Sequence, residues 1–125
     1  MIIRLTLVII VSFLVLSCSK DKKIVYEPSL KVDAFAIYKE GLEAFELNDF
    51  FYASKKFSEA ELNFSDVDLA AKSAIMSSFS LYGINFYSEA LENLYRYLRT
   101  YPADSNVIYA HYLEAVIYFE QISDE

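Results

Sequence analysis

Beyond residue 32 the apolar positions recur at helical spacing and stop at short polar turns. Phe35, Tyr38, Leu42 and Phe45 follow 3–4–3 spacing, and Ile37, Gly41 and Ala44 form a second stripe beside them. Two stripes on one helix predict two packing partners. This predicts a helix over residues 32–47. Ala53, Phe57, Ala60 and Phe64 follow 4–3–4 spacing and predict a second helix over residues 50–64. The same reading predicts helices over residues 67–82, 86–100 and 106–121. The turns carry suitable punctuation. Asn48 or Asp49, Ser65 or Asp66, Asn85, and Asp104 or Ser105 are the expected caps, Gly83 the expected stop, and Pro102 a barrier to continuation.

These helices are one pattern written twice. Adding 37 to a residue number takes Gly41 to Ser78, Leu42 to Phe79, Phe45 to Tyr82, Asn48 to Asn85, Ala53 to Ala90 and Phe57 to Leu94. The shift continues into a half-copy, from Ser78 to Ala115, Phe79 to Val116 and Tyr82 to Phe119. A fixed period of this size marks a solenoid, whose units bury their apolar faces against their neighbours. The expected repeats are residues 32–65, 67–102 and an incomplete 105–125. The last helix is as apolar as the others, yet no partner helix follows it. The expectation is a longer protein, or a chain completed by a partner.

Ahead of the repeats, Met1-Ile2-Ile3-Arg4 is a short positive start and residues 5–16 are an uncharged apolar run. The run is shorter than the ~20 residues a permanent membrane helix needs. It leads into Val15-Leu16-Ser17-Cys18, which resembles the bacterial lipobox. Residues 1–17 are thus expected to be a lipoprotein signal peptide. Cys18 is expected to carry the covalent lipid, with no other cofactor implied. Residues 18–31 then form a tether holding the repeats clear of the membrane. With its one Cys used in this way, the chain has no thiol left for an internal disulfide.

The chain has 125 residues, 55% of them apolar, and a formal net charge of −7. Such acidity, with no basic run, argues against nucleic acid as a partner. His111 is the only His and falls at the repeat position of Ile37 and Ala74, so an inward, packed side chain is expected. No second His or Cys is present for a zinc site or a thiol triad, and no Gly-rich phosphate loop exists. Enzyme chemistry is not expected from these residues.

The repeat resembles the tetratricopeptide repeat. The small row Gly41, Ser78, Ala115 corresponds to the place where that family lets its second helix approach, and Ala53-Phe57-Ala60 to the second helix itself. The resemblance implies an all-α solenoid of helical hairpins, about two and a half repeats long, with a concave groove. By repeat position the groove would be lined by Phe35, Tyr38, Leu42 and Phe45, then Lys72, Ile75, Phe79 and Tyr82, then Tyr109 and Tyr112. Val116 and Phe119 follow in the same row. Aromatic anchors of this kind suit a peptide with apolar or aromatic side chains, and Lys72 could pair with its carboxylate.

The lipobox, the tether and the strings VDAFAIYKEGLEAF, YASKKFSEAE and YPADSNVIYAHYLEAVIYFEQISDE together resemble the BamD (ComL-like) lipoproteins. That resemblance implies an outer-membrane lipoprotein on the periplasmic face, held by its lipid. It implies a scaffold of the β-barrel assembly machinery that binds unfolded outer-membrane proteins. The implied partners are a BamA-type barrel protein and the other lipoproteins of the machinery. Family members carry about five repeats, so this chain corresponds to the N-terminal part. One alternative is another periplasmic repeat lipoprotein, such as a pilus or secretin pilot or an envelope-division coordinator. A different class would be an anchored envelope enzyme with its catalytic domain beyond residue 125.

Overall fold

The computed structural model describes residues 33–123. The signal peptide, Cys18 and the tether expected over residues 1–31 lie outside the described residues. Five helices follow in order: α1 (Ala34–Glu46), α2 (Phe50–Asn63), α3 (Val67–Gly83), α4 (Tyr87–Thr100) and α5 (Val107–Ser123). Consecutive helices pack against each other, and α3 also touches α5. Two hairpins, α1–α2 and α3–α4, are followed by the first helix of a third unit. This is the helical-hairpin solenoid that the period of 37 predicts.

Aspartates start most of these helices. The carboxylate of Asp33 accepts from the N–H of Phe35 at 3.0 Å, and Asp49 accepts from Tyr52 at 3.2 Å. Asp66 accepts from Asp68 at 3.0 Å and Leu69 at 3.1 Å. Asp104 accepts from the N–H of Asn106 at 2.9 Å, one residue before α5. Each cap satisfies an otherwise orphaned donor and contributes about 1 kcal/mol. Helix α4 differs: its N-cap position is Phe86, which gives no side-chain cap.

The two hairpin turns have the same geometry. Asn48 and Asn85 sit at φ 61° and 60°. Around them, Asp49 N–H donates to Ala44 and Asn48 N–H to Phe45, while Phe86 N–H donates to Leu81 and Asn85 N–H to Tyr82. Both are Schellman closures with Asn in the left-handed position. Asn85 therefore ends α3 rather than capping α4, and Gly83 lies inside α3 rather than stopping it. The reason is that Asn itself tolerates the left-handed backbone, so the turn does not need the glycine.

Each repeat has its own apolar core. The first gathers Ile37, Tyr38, Ala44, Ala53, Phe57 and Ala60. The second gathers Ala71, Ala74, Ile75, Ala90, Leu91, Leu94, Tyr97, Ala110, Leu113 and Ile117. The small row sets how closely helices pair. A Cβ on Gly41 would lie 2.9 Å from the buried Phe57 ring.

A polar seam crosses the boundary between the cores. The Ser58 and Ser77 hydroxyls lie 2.8 Å apart, Ser77 donates to the Ser54 carbonyl at 3.1 Å, and Asn93 donates to Ser77 at 3.3 Å. Further along, Arg96 grips the buried Glu61 carboxylate with two bonds of 2.5 and 2.7 Å, and the Tyr101 hydroxyl adds a third at 2.9 Å. Burial and the Glu61 charge push the Tyr101 hydroxyl up to about 12. Among the described residues no buried side-chain polar atom lacks a partner.

The turn at Pro102 is closed by a partly buried bond, from the Tyr97 hydroxyl to the Asp104 carboxylate. Burial alone would raise the Asp104 carboxyl. The donors on Tyr97, Asn106 and Ser105 outweigh it and hold the group below the ordinary carboxylate range.

Two outcomes follow from this packing. Gly41→Val drives a branched side chain into the Phe57 ring and should lower stability by about 2–3 kcal/mol. Gly83→Ala meets only the Phe50 ring edge at 3.2 Å, and should change stability by less than about 1 kcal/mol. Urea unfolding followed by helical ellipticity checks both. Asp104→Asn should cost about 1 kcal/mol at neutral pH. A carboxyl whose folded pKa is depressed stabilises above its unfolded value and loses that contribution as pH falls through the folded one. The deficit of Asp104→Asn against the parent should therefore shrink below about pH 4, measured by the same titration across pH.

Candidate functional site

The first helices of the successive units, α1, α3 and α5, line one side of the solenoid. A cleft of about 430 Å³ opens there, bounded by Phe45 from α1, Lys72, Ile75, Met76 and Phe79 from α3, and Asn106 and Tyr109 at the start of α5. Each helix contributes one aromatic ring to a ladder along it. Phe45 and Phe79 stand 5.7 Å apart between centroids, and Phe79 and Tyr109 6.4 Å apart. The tilted rings leave faces and edges open to an incoming side chain.

Lys72 is the cation of this wall. It is exposed, its Nζ lies 5.9 Å from the Tyr38 ring centroid, and it also borders a second, more polar cavity of about 400 Å³. That neighbour is walled by Asp68, Leu69, Ala103, Asp104 and Ser105, and shares Asn106. Asp104 is already engaged by Tyr97 and Asn106. Burial and the nearby tyrosines raise the Tyr109 hydroxyl above its ordinary value, so it stays protonated and can donate. The site thus offers apolar surface, one exposed cation and neutral donors. Among the described residues no cluster of three or more His, Cys, Asp or Glu could hold a metal ion.

The expected groove residues separate on this geometry. Phe45, Lys72, Ile75, Phe79 and Tyr109 meet in the cleft. Tyr38 is buried instead, with its ring 5.3 Å from Phe57 and 6.1 Å from Phe64. Leu42 is half-buried against the same core. Phe35 is 61% exposed and meets Phe64 edge-on at 6.3 Å, at the outer end of α1. Tyr82 packs against Tyr87 with tilted rings at 6.1 Å, at the place where Phe45 meets Phe50 edge-on at 5.0 Å one repeat earlier. Tyr112 is exposed beside Tyr109 at 6.3 Å. Met76 and Asn106 line the cleft without having been expected. Met76 follows Ile75 on α3, and Asn106 lies one residue before α5, so neither stands on the apolar stripe used to place the groove.

His111 departs from expectation. It is exposed and reaches Glu114 at 3.2 Å. Its counterparts Ile37 and Ala74 are buried in the first and second cores. Among the described residues no helix follows α5 to cover His111 in the same way.

Comparison with known proteins now has a fold and a site to bear on. A family described as outer membrane lipoprotein, YfiO, matches residues 31–125. The chain belongs to this family. Its membership places the chain at the outer membrane, and among the described residues no helix is long and apolar enough to cross a membrane. The outer membrane protein assembly factor BamD of Caulobacter vibrioides is 31% identical over 88 residues, covering 70% of this chain and 29% of its own length. The same factor of Rickettsia prowazekii is 26% identical over 88 residues, covering 70% of this chain and 35% of its own. The chain therefore spans about a third of the length of these curated relatives. No solved structure gives a significant match.

Packing and surface roles in the cleft can be separated by mutation. Lys72→Glu changes an exposed side chain and should leave stability within about 0.5 kcal/mol. Phe79→Ala removes a half-buried ring touching three others and should cost about 2 kcal/mol. Thermal unfolding of the two variants beside the parent checks the contrast.

Proposed function

We propose that this chain is a scaffold lipoprotein of outer-membrane β-barrel assembly. Its groove holds extended segments of unfolded outer-membrane proteins. The observation that carries the reading is the cleft between α1, α3 and α5: a ladder of Phe45, Phe79 and Tyr109 with Lys72 beside it. An aromatic side chain of a client strand fills the apolar cleft, and a carboxylate of the client meets Lys72. Two assembly factors among the relatives support the biological setting. The function needs no catalytic group: binding and release suffice, so the protein acts as an adaptor rather than an enzyme. Cys18 carries the lipid that holds it on the periplasmic face of the outer membrane, and the repeats contact a BamA-type barrel protein and companion lipoproteins.

The test uses the full chain in detergent and a fluorescent peptide copying the last strand of an outer-membrane barrel, with alternating aromatic residues and a free C-terminal carboxylate. Fluorescence anisotropy should show saturable binding. Lys72→Glu should weaken it at least tenfold, about 1.4 kcal/mol, and amidation of the peptide C-terminus should remove the Lys72 dependence. Equal binding of a peptide with its aromatics replaced by serine would reject the groove reading.

A further inference from the structure

Glu61 on α2 is held by two polar side chains of the second hairpin. Only 6% of it is exposed. The Arg96 guanidinium on α4 bonds both of its oxygens, at 2.5 and 2.7 Å, and the Tyr101 hydroxyl just after α4 donates to the first of them at 2.9 Å. The pairs Lys39–Glu43 and Lys56–Glu40 stay within the first hairpin, whereas this one crosses to the second.

The repeat pattern does not require this arrangement. Adding 37 takes Glu61 to Leu98 and Phe64 to Tyr101. Leu98 packs against the second core and Phe64 against the first. Two apolar positions of the repeat are thus polar where the hairpins meet. A buried ion pair is weak evidence for stability, because desolvation offsets much of the attraction. Its strength is geometric: the fork makes both bonds only when guanidinium and carboxylate face each other in one plane.

Packing alone leaves the separation of α2 and α4 open. The two helices are not consecutive, and α3 packs against both. A cavity of about 290 Å³ lies beside the pair, bounded by Ser58, Glu61 and Leu62 of α2 and by Asn93 and Arg96 of α4. Unfilled space does not fix a distance between helices, whereas interlocked side chains do. We propose that Glu61, Arg96 and Tyr101 form a clasp that sets the separation of α2 and α4, and thereby the opening of the aromatic cleft. The lever is direct. The clasp joins second helices, the cleft lies between first helices, and α3 stands between them as the fulcrum. Holding α2 and α4 together keeps the Phe45 and Phe79 rings at their centroid spacing of 5.7 Å. Without the clasp α2 and α4 part, and the rings close on the space a client side chain needs. The three are positioning residues, since none of them lines the cleft. The consequence for client binding rests on the groove reading proposed above; the clasp itself does not.

The experiment uses the full chain in detergent with Cys18→Ser, so that spin labels attach only at Lys39→Cys on α1 and Glu92→Cys on α4, both exposed. Pulsed dipolar spectroscopy then reads the distance between the hairpins. Glu61→Met, Arg96→Met and Tyr101→Phe together remove the polar groups of the clasp and orphan none, so melting temperature and helical ellipticity should match the parent. The distance distribution should become about twice as broad, and binding of the barrel-strand peptide should weaken about fivefold. Arg96→Lys keeps the charge but loses the fork, and should fall between. Glu40→Met with Lys56→Met removes a pair inside the first hairpin and should leave both readouts unchanged. An unbroadened distribution, equal broadening in that control, or broadening with undiminished peptide binding would overturn the proposal. If the parent itself binds no peptide, the groove reading falls, and the distance distributions alone uphold or overturn the clasp.

Discussion

Helix α3 is touched by α2, α4 and α5 at once, and three helices can share one neighbour only if its side chains are short. Its sequence meets that demand with Ala70, Ala71, Ala74, Ser73, Ser77, Ser78 and Ser80, all buried. Buried hydroxyls then need acceptors. Ser73, Ser78 and Ser80 donate back to the carbonyls of Leu69, Ala74 and Met76 in their own helix, and Ser77 donates across to α2. Once this central rod is thin, the bulk needed to fill each core must come from its partners. Phe57 supplies it in the first core, Leu94 and Tyr97 in the second.

The functional surface is a by-product of the same arrangement. The large residues of α3 that do not fit between helices, Lys72, Met76 and Phe79, are pushed to the side where α1 and α5 flank it. There they become the floor of the cleft. Site and scaffold are therefore distributed along one helix by size: small residues toward three neighbours, large ones toward the groove. Phe79 belongs to both, since it packs against the second core and lines the cleft.

Much of this was legible in the chain because periodicity records which face is apolar. The five helices fall within a residue or two of their expected limits, and the shift of 37 finds both hairpins. Periodicity does not record depth. Tyr38 and Phe45 share a stripe, yet one is buried under Phe57 and Phe64 and the other opens on the cleft. Turn chemistry was half-legible: Asn48 and Asn85 were visible as turn residues, but whether Asn85 closes the helix before it or opens the one after depends on its backbone angle. His111 shows a third limit. Its environment depends on what covers the outer side of α5, which repeat position alone does not supply.

The polar seam between the two cores has a mechanical meaning. Interlocked apolar side chains resist sliding, because any displacement opens voids along the whole contact. Hydroxyls, an amide and a guanidinium can keep bonding through small shifts, since their partners offer more than one lone pair. A small tilt of the first hairpin on the second would therefore cost less bonding than the same tilt across a wholly apolar contact, although the two bonds from Arg96 to the buried Glu61 set a limit to it. Phe45 rides on one hairpin and Phe79 on the other, so the spacing of the aromatic ladder is the coordinate along which such a tilt would be felt.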